Sequence, residues 1–322
     1  MWLHRFATLT SIAAFLLIIA GGLVTSTGSG LSVPDWPLSF GKVMPPMTGG
    51  VFYEHGHRMV ATVVGILTAI LAFWIMRVER RRWVKVLGFV TLGAIVAQGV
   101  LGGITVLMQL PVSVSVAHAA LAQSVFCLTV ILALVTSAGW KAHVTTGMSI
   151  RAQTQEYCIV TSAAVFIQLL LGAWMRHSGA GLAIPDFPFS YGRIIPPLDE
   201  ASMPAINAAR ETVGLSPVTA SQVAIHFAHR VGAAVVLVMA IITAVHVLRS
   251  YPSEGRLREP AVVLLLLVCF QILLGALTIW TGKGVEVSTM HVATGALILA
   301  TSVLLCVIVS QMYRVPGGLR QG

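Results

Sequence analysis

Eight stretches of this chain are too long and too apolar to fold in water. They run from Ala7 to Thr27, Val51 to Met76, Val84 to Met108, Val112 to Gly139, Tyr157 to Met175, Val223 to Leu248, Ala261 to Trp280 and Val287 to Tyr313. A hydrocarbon layer asks for about 20 apolar residues per helical crossing. Lipid offers the backbone no hydrogen-bond partner, so each stretch must satisfy itself as a helix. Charged residues make up 10% of the chain, against roughly 25% in a soluble domain. The expected fold class is an all-α membrane protein with eight transmembrane helices.

The cations set the expected orientation. Arg5, the group Arg77, Arg80, Arg81, Arg82 and Lys85, then Lys141 and Arg151, then Arg249, Arg256 and Arg258, and finally Arg314 and Arg320 fall at one face, 13 of the 20 Lys and Arg. By the positive-inside bias that face is cytoplasmic, with both termini on it. The net charge of +9 therefore has anionic headgroups of the bilayer as its partner, and no nucleic-acid site is expected. Arg5 before the first apolar run has the look of a signal peptide, but no small-residue cleavage pattern follows, so the run is read as a retained helix.

A long repeat organises the chain. GSGLSVPDWPLSFGKVMPPM from Gly28 and GAGLAIPDFPFSYGRIIPPL from Gly179 agree at ten of twenty positions, 151 residues apart. That period is far beyond a solenoid unit and points to a duplicated domain. Four crossings return the chain to its starting side, so the halves share one orientation, and two four-helix bundles related by a pseudo-twofold axis along the membrane normal are expected. The division is residues 1–140, a cytoplasmic linker 141–156, and residues 157–322. Both Gly/Pro loops then lie outside the cytoplasm, where their prolines forbid a regular helix.

Downstream the repeat carries histidines. EHGHR (Glu54 to Arg58) aligns with HFAHR (His226 to Arg230), and the segment Gln98 to His118 with Gln271 to His291. His57 is thus in register with His229, and His118 with His291. A single membrane histidine is commonly a satisfied polar residue between helices, whereas recurrence in pairs at matched depth marks a functional site. His57 and His118 each fall about six residues into inward-running helices, roughly 9 Å deep at 1.5 Å per residue. Helices 2 and 4 of an up-down bundle are diagonal, about 14 Å apart, a gap that two imidazoles spanning a haem iron fill. The expectation is one bis-histidine haem per half. Zinc, which asks for four compact ligands, fits poorly.

Arg58 and Arg230 sit at the outer end of a helix, against the positive-inside bias, and are read as propionate partners, with headgroup snorkelling as the alternative. The loops, with Asp35 and Trp36 in one and Asp186 and Phe187 in the other, are read as lids over the two pockets. Glu54 lies three residues before His57 on the same helical face. Its counterpart is His226, so only the first pocket has an acid able to stabilise positive charge or move protons; a carboxylate favoured by the helix dipole is the alternative.

The segments GGLVTSTGSGLSVPDWP, EHGHR, LGG through VAH, HFAHR, and LLGALT through MHVATGA resemble the haem A synthase family, in its compact bacterial form related to the mitochondrial one. The likeness covers about Leu9 to Leu305. It implies oxidation of the C8 methyl of haem O to a formyl by successive hydroxylations, giving haem A, with water as the oxygen source. It also implies that the first half holds substrate haem O and the second a haem b for electron transfer, and that the glutamate at Glu54 is catalytic. It further implies a bacterial inner-membrane location, haem O synthase and cytochrome oxidase assembly factors as partners, and an electron acceptor that the residues do not identify. Some members carry a cysteine pair in the first outer loop. Here the four cysteines, Cys127, Cys158, Cys269 and Cys306, all fall within apolar runs and are read as packing residues. His55 and His226 are read as able to tune a pocket, while His4, His143, His177 and His246 are given no ligand role. Gly21, Gly22, Gly102, Gly103, Gly172 and Gly275 are read as sites of close approach. Gln98, Gln271, Thr105 and Thr278 are read as plain structural residues, and 199–217 has no counterpart in the first half. Two other readings stay open, a dihaem electron carrier and a duplicated transporter.

Overall fold

A computed structural model describes residues 1–142 and 150–312. Residues 143–149 of the expected linker, His143 among them, together with Tyr313, Arg314 and Arg320, lie outside the described residues. The chain forms α1 (Trp2–Ser26), α2 (Gly50–Val78), α3 (Arg82–Leu107), α4 (Val112–Thr136), the short α5 (Ala138–Ala142), α6 (Ala152–His177), α7 (Met203–Thr212), α8 (Ala220–Ser250), α9 (Gly255–Trp280) and α10 (Val285–Met312). All but α5 and α7 are long and apolar enough to cross a membrane, so this is an all-helical multi-pass membrane protein with eight candidate spans.

Some spans begin several residues ahead of their apolar core. α6 begins at Ala152 ahead of Tyr157, and α9 at Gly255 ahead of Ala261, because helical hydrogen bonding continues into the headgroup zone where hydropathy no longer reports it. The fourth apolar run is the one that breaks, at Ser137, whose extended backbone (φ −66°, ψ 153°) separates α4 from α5.

Packing order fixes which helices face each other. α2 and α4 both pack on α1 and α3, and α8 and α10 both pack on α6 and α9. The histidine-bearing helices therefore occupy opposite corners of each four-helix group. The groups join through α1 against α10 and through α4 against α6 and α10. α10 is the central element: 56% of its apolar window is buried, against 17% for α6. One hydrophobic cluster runs through all eight spans, and it holds repeat-equivalent pairs together: Ala14 and Val165, Val64 and Val236, Ile95 and Val268, Val125 and Ile298. The large apolar side chains left exposed, such as Phe73, Phe89, Leu266 and Leu273, lie on spans and suit a lipid-facing surface. Of the cysteines, Cys127 and Cys158 are buried, Cys306 is half-buried and Cys269 is exposed on α9.

Residues 199–217 form a turn at Glu200–Ser202 capped by Asp199, then α7. Met203 and Ile206 of this segment bury against Ala180, Ile184 and Val223, so it is a strap across the second Gly/Pro loop.

At the opposite end, Glu79 closes the turn between α2 and α3. Its carboxylate accepts from the backbone of Arg80 (2.9 Å) and Arg81 (3.1 Å) and from Arg81 Nη2 (2.7 Å), while Arg81 also donates to the Val135 carbonyl (2.8 Å) on α4. The Arg81 guanidinium is the main reason the Glu79 carboxyl is held down to about 2 from an ordinary 4.5. A depressed carboxyl stabilises the fold fully above its unfolded value and loses that contribution as pH falls toward its folded one. Thermal unfolding in detergent should show wild type losing its advantage over Glu79→Gln as pH drops from 5 toward about 2; a constant difference across that window would show the turn does not depend on this charge.

Candidate functional site

Both Gly/Pro loops fold by the same local chemistry. Asp35 accepts from the backbone N–H of Phe40 (2.7 Å) and Gly41 (2.8 Å), and Asp186 from those of Tyr191 and Gly192 (2.8 Å each). Those bonds, Gly41 first, hold the Asp35 carboxyl below its ordinary value. Phe40 and Tyr191 take a left-handed φ of 55°, a conformation that costs a side-chain-bearing residue energy and needs such support. A two-residue backbone bridge, Ser39 with Lys42 and Ser190 with Arg193, closes each turn.

Each loop is then latched to the helix that follows it. In the first, Arg58 donates to the carbonyls of Asp35 (2.7 Å), Leu38 (2.9 Å) and Val33 (3.2 Å) and to Glu54 Oε1 (2.8 Å). Glu54 Oε2 accepts the Val33 N–H at 2.8 Å, and His55 Nδ1 pairs with the Ser39 hydroxyl at 2.8 Å. In the second, Arg230 donates to the carbonyls of Phe189 (2.8 Å), Asp186 (2.7 Å) and Ile184 (3.1 Å). There His226 Nδ1 accepts the Ile184 N–H at 3.1 Å. Val33 and Ile184 are repeat-equivalent, so glutamate and histidine do the same latching job in the two halves. The second loop has an additional lock from the strap: buried Arg210 donates to the carbonyls of Leu182 (2.9 Å), Ala183 (3.2 Å) and Ser216 (2.8 Å), and the Tyr191 hydroxyl also reaches Ala183.

The loop aromatics have different seats. The Trp36 ring lies so close over Gly103 of α3 that an added Cβ would fall 2.4 Å from it. The position equivalent to Gly103 is Ala276, and in that half the smaller Phe187 meets Trp280 edge-on at 6.1 Å, with the Arg230 guanidinium 5.7 Å from its ring.

Below the loops, each of the four repeat-related histidines rests its ring on a glycine of a neighbouring helix. A Cβ built on the glycine would stand 3.2 Å from His57 Cε1 at Gly21, 3.0 Å from His118 at Gly102, 2.9 Å from His229 at Gly172, and 3.4 Å from His291 at Gly275. The glycines let a helix backbone come within van der Waals reach of the imidazole and fix its plane. His57, His118, His229 and His291 lie six to nine residues from the loop-side ends of their helices, roughly 9 to 14 Å along the axis. Glutamines approach from the same side. Gln98 donates to the His118 carbonyl (3.0 Å), Gln271 to that of His291 (2.9 Å), and Gln168 to that of His229 (2.8 Å), with its amide also 3.0 Å from the His229 Nδ1.

These residues suit a flat iron macrocycle. Nδ1 of His57, His118 and His291 is buried with no hydrogen-bond partner, which is costly unless a ligand or metal engages the ring. Among the described residues no three His, Cys, Asp or Glu gather into a metal cluster, so an iron here would take two protein ligands, as haem iron does. The other histidines serve elsewhere. His4 bonds the Ala133 carbonyl (2.9 Å) and His246 the Thr154 hydroxyl (2.8 Å). Thr105 and Thr278 bond carbonyls of their own helices.

Arg176 at the junction of the groups and Gln168 within the second group stand outside the motifs of the sequence. Arg176 of α6 donates to Ser26 Oγ (2.6 Å) and Gly22 O (3.4 Å) of α1, and Thr289 of α10 donates to the same Ser26 hydroxyl (3.1 Å). Arg176 belongs to none of the ion pairs among the described residues. Gln168 has no polar equivalent in the first half, where Leu17 stands. A comparison of the two halves residue by residue would have shown both.

The fold and site define a multi-pass helical membrane protein with repeat-related histidines set below two latched Gly/Pro loops. The family model described as cytochrome oxidase assembly protein (COX15-CtaA) matches residues 4–50 and 48–303, and the chain belongs to this haem A synthase family. It is 28% identical over 319 residues to a protein named Heme A synthase from Halalkalibacterium halodurans, covering 97% of this chain and 99% of the relative. A Heme A synthase of Caulobacter sp. strain K31 is 30% identical, covering 94% of this chain and 93% of the relative. One from Chelativorans sp. strain BNC1 is 28% identical over 93% of this chain and 88% of the relative.

The latching geometry has its own test. Arg58→Met should free three loop carbonyls and raise the rate of tryptic cleavage at Lys42 several-fold, with cleavage at Arg193 in the second loop unchanged. Equal cleavage of wild type and variant at Lys42 would show that Arg58 does not hold the loop.

Proposed function

We propose that this chain is a haem A synthase, oxidising the C8 methyl of haem O to a formyl. In this reading residues 1–140 and 157–322 are two four-helix units related by a pseudo-twofold axis, the first holding haem O between His57 and His118, the second a haem b between His229 and His291. The observation that carries it is the fourfold seating of imidazoles on glycines at diagonal corners, in a chain similar over nearly its whole length to proteins named Heme A synthase. The bilayer is the solvent, and the bacterial inner membrane with both termini cytoplasmic is the proposed setting. Haem O synthase, cytochrome oxidase assembly factors and an external electron acceptor are the proposed partners.

A bound haem b would supply one-electron redox chemistry. The chain's own residues shape the rest. Glu54 is 4% exposed, one turn before His57, and its carboxylate is held by the Val33 N–H and by Arg58. It is the proposed catalytic acid of the first pocket, placed to stabilise positive charge beside the substrate. Asp35, Trp36, Asp186 and Phe187 belong to the lids that exclude water. Arg58 and Arg230 are the proposed propionate partners, and their loop bonds make them organisers of the lids as well; the Arg230 Nε is buried without a partner and so has a donor to spare.

One observation favours the second reading, a non-catalytic dihaem carrier. His226 latches its loop as Glu54 does, so the acid in one half has a structural use apart from chemistry. Glu54→Gln separates the two, because an amide oxygen still accepts the Val33 N–H while the charge is gone. The variant, co-expressed with a haem O source, should retain haem and accumulate unconverted haem O, with product down at least a hundredfold, the order of one acid–base contribution; mass analysis of extracted haems reads this. Normal haem A from the variant defeats the catalytic role of Glu54. In the same assay His291→Ala should lose the second-half haem, and a variant with both haems still low-spin would contradict the ligand assignment.

A further inference from the structure

Three of the four histidines are anchored from behind by a glutamine, and His57 is the exception. Gln98, Gln168 and Gln271 each tie the backbone carbonyl of a histidine to the adjacent helix. Among the described residues no side chain bonds His57, and its Nδ1 is buried without a partner. The position equivalent to Gln168 is Leu17.

The difference is built in at two positions at once. A Cβ at Gly232 would stand 2.1 Å from Gln168 Oε1, so a side chain there would displace this amide from its seat. In the first half the equivalents are Leu17 and Val60, both packed against the apolar core. Space that the second half opens for an amide is filled there by a branched side chain.

What holds the His57 turn instead is the lid. Glu54, His55 and Arg58 all bond the first loop, through Val33, Ser39 and Asp35. The His229 turn is bonded to its loop too, through His226 and Arg230, but Gln168 fixes it to α6 as well, and the strap adds Arg210 to the loop. Movement of the first lid therefore carries the His57 turn with it, while the His229 turn stays where α6 holds it.

We propose that His57 is the detachable axial ligand, releasing the substrate haem when the first lid opens, whereas His118, His229 and His291 are fixed. Detachment of His57 would break one coordinate bond and departure of the haem would break the second, to His118, each electron pair staying on its imidazole nitrogen, so no further reactant is needed. Haem O enters and product leaves through the first lid, and the second haem remains resident. Gln168 is a positioning residue in this scheme, as Gly232 is. The inference rests on reading both histidine pairs as haem sites.

Haem transfer from the purified full-length protein to excess apomyoglobin, followed in the Soret band, tests it. Wild type should release haem in a fast and a slow phase, with His291→Ala abolishing the slow one. Gln168→Leu with Gly232→Val should speed the slow phase about fivefold or more, the worth of one net hydrogen bond. The reciprocal Leu17→Gln with Val60→Gly should slow the fast phase by a similar factor while leaving the slow phase unmoved, a selective change that altered overall stability would not produce. Gln168→Asn with Gly232 intact keeps an amide at the site and should fall between wild type and the leucine variant. Two rate constants unmoved by either exchange, or equal release from both pockets, overturns the proposal while leaving the haem reading intact. A wild-type protein that binds no haem overturns that reading instead.

Discussion

The contact between an imidazole and the backbone of a neighbouring helix is the constraint on which the site depends. It occurs four times, at Gly21, Gly102, Gly172 and Gly275; a methyl group would collide with or crowd the ring at the first three and just touch it at Gly275. Because membrane helices gain nothing from hiding apolar surface from one another, close packing and interhelical hydrogen bonds must hold them together. The glycines provide the first and, for His118, His229 and His291, the glutamines provide the second, on the same helices and against the same histidines. The features that bring helices together are thus also the ones that aim the rings.

The loops add a second layer of order. Asp35 and Asp186 fold them from within, and Arg58 and Arg230 fasten them from below. The two are fastened unequally. The second carries the strap with buried Arg210, and its histidine is anchored through Gln168. The first relies on Glu54, His55 and Arg58 alone, which suits a pocket whose contents turn over against one whose contents stay.

Much of this was legible in the sequence. Eight apolar runs gave eight spans, since backbone self-satisfaction in lipid favours helices, and the ends differed where polar first turns such as Ala152–Glu156 fall outside the hydropathy signal and where the fourth run breaks at Ser137. The duplicated loop and the paired histidines were visible as repeats, and the diagonal placement of their helices followed from simple up-down packing. The latch chemistry was less accessible. That Glu54 and His226 accept equivalent N–H groups depends on a loop conformation set by Asp35 and Asp186, which periodicity does not encode. Gln98 and Gln271 looked like ordinary structural amides because a carbonyl partner leaves no trace in sequence. The role of residues 199–217 emerged only once α7 was seen lying over Ala180 and Ile184.

The account stands or falls on iron held by paired imidazoles in both halves. Low-temperature electron paramagnetic resonance of the oxidised full-length protein, purified after co-expression with a haem O source, measures this directly. Two distinct low-spin ferric centres with bis-imidazole anisotropy are the result it predicts, one lost on removing His118 and the other on removing His291. A single centre, or signals indifferent to both histidines, would contradict it.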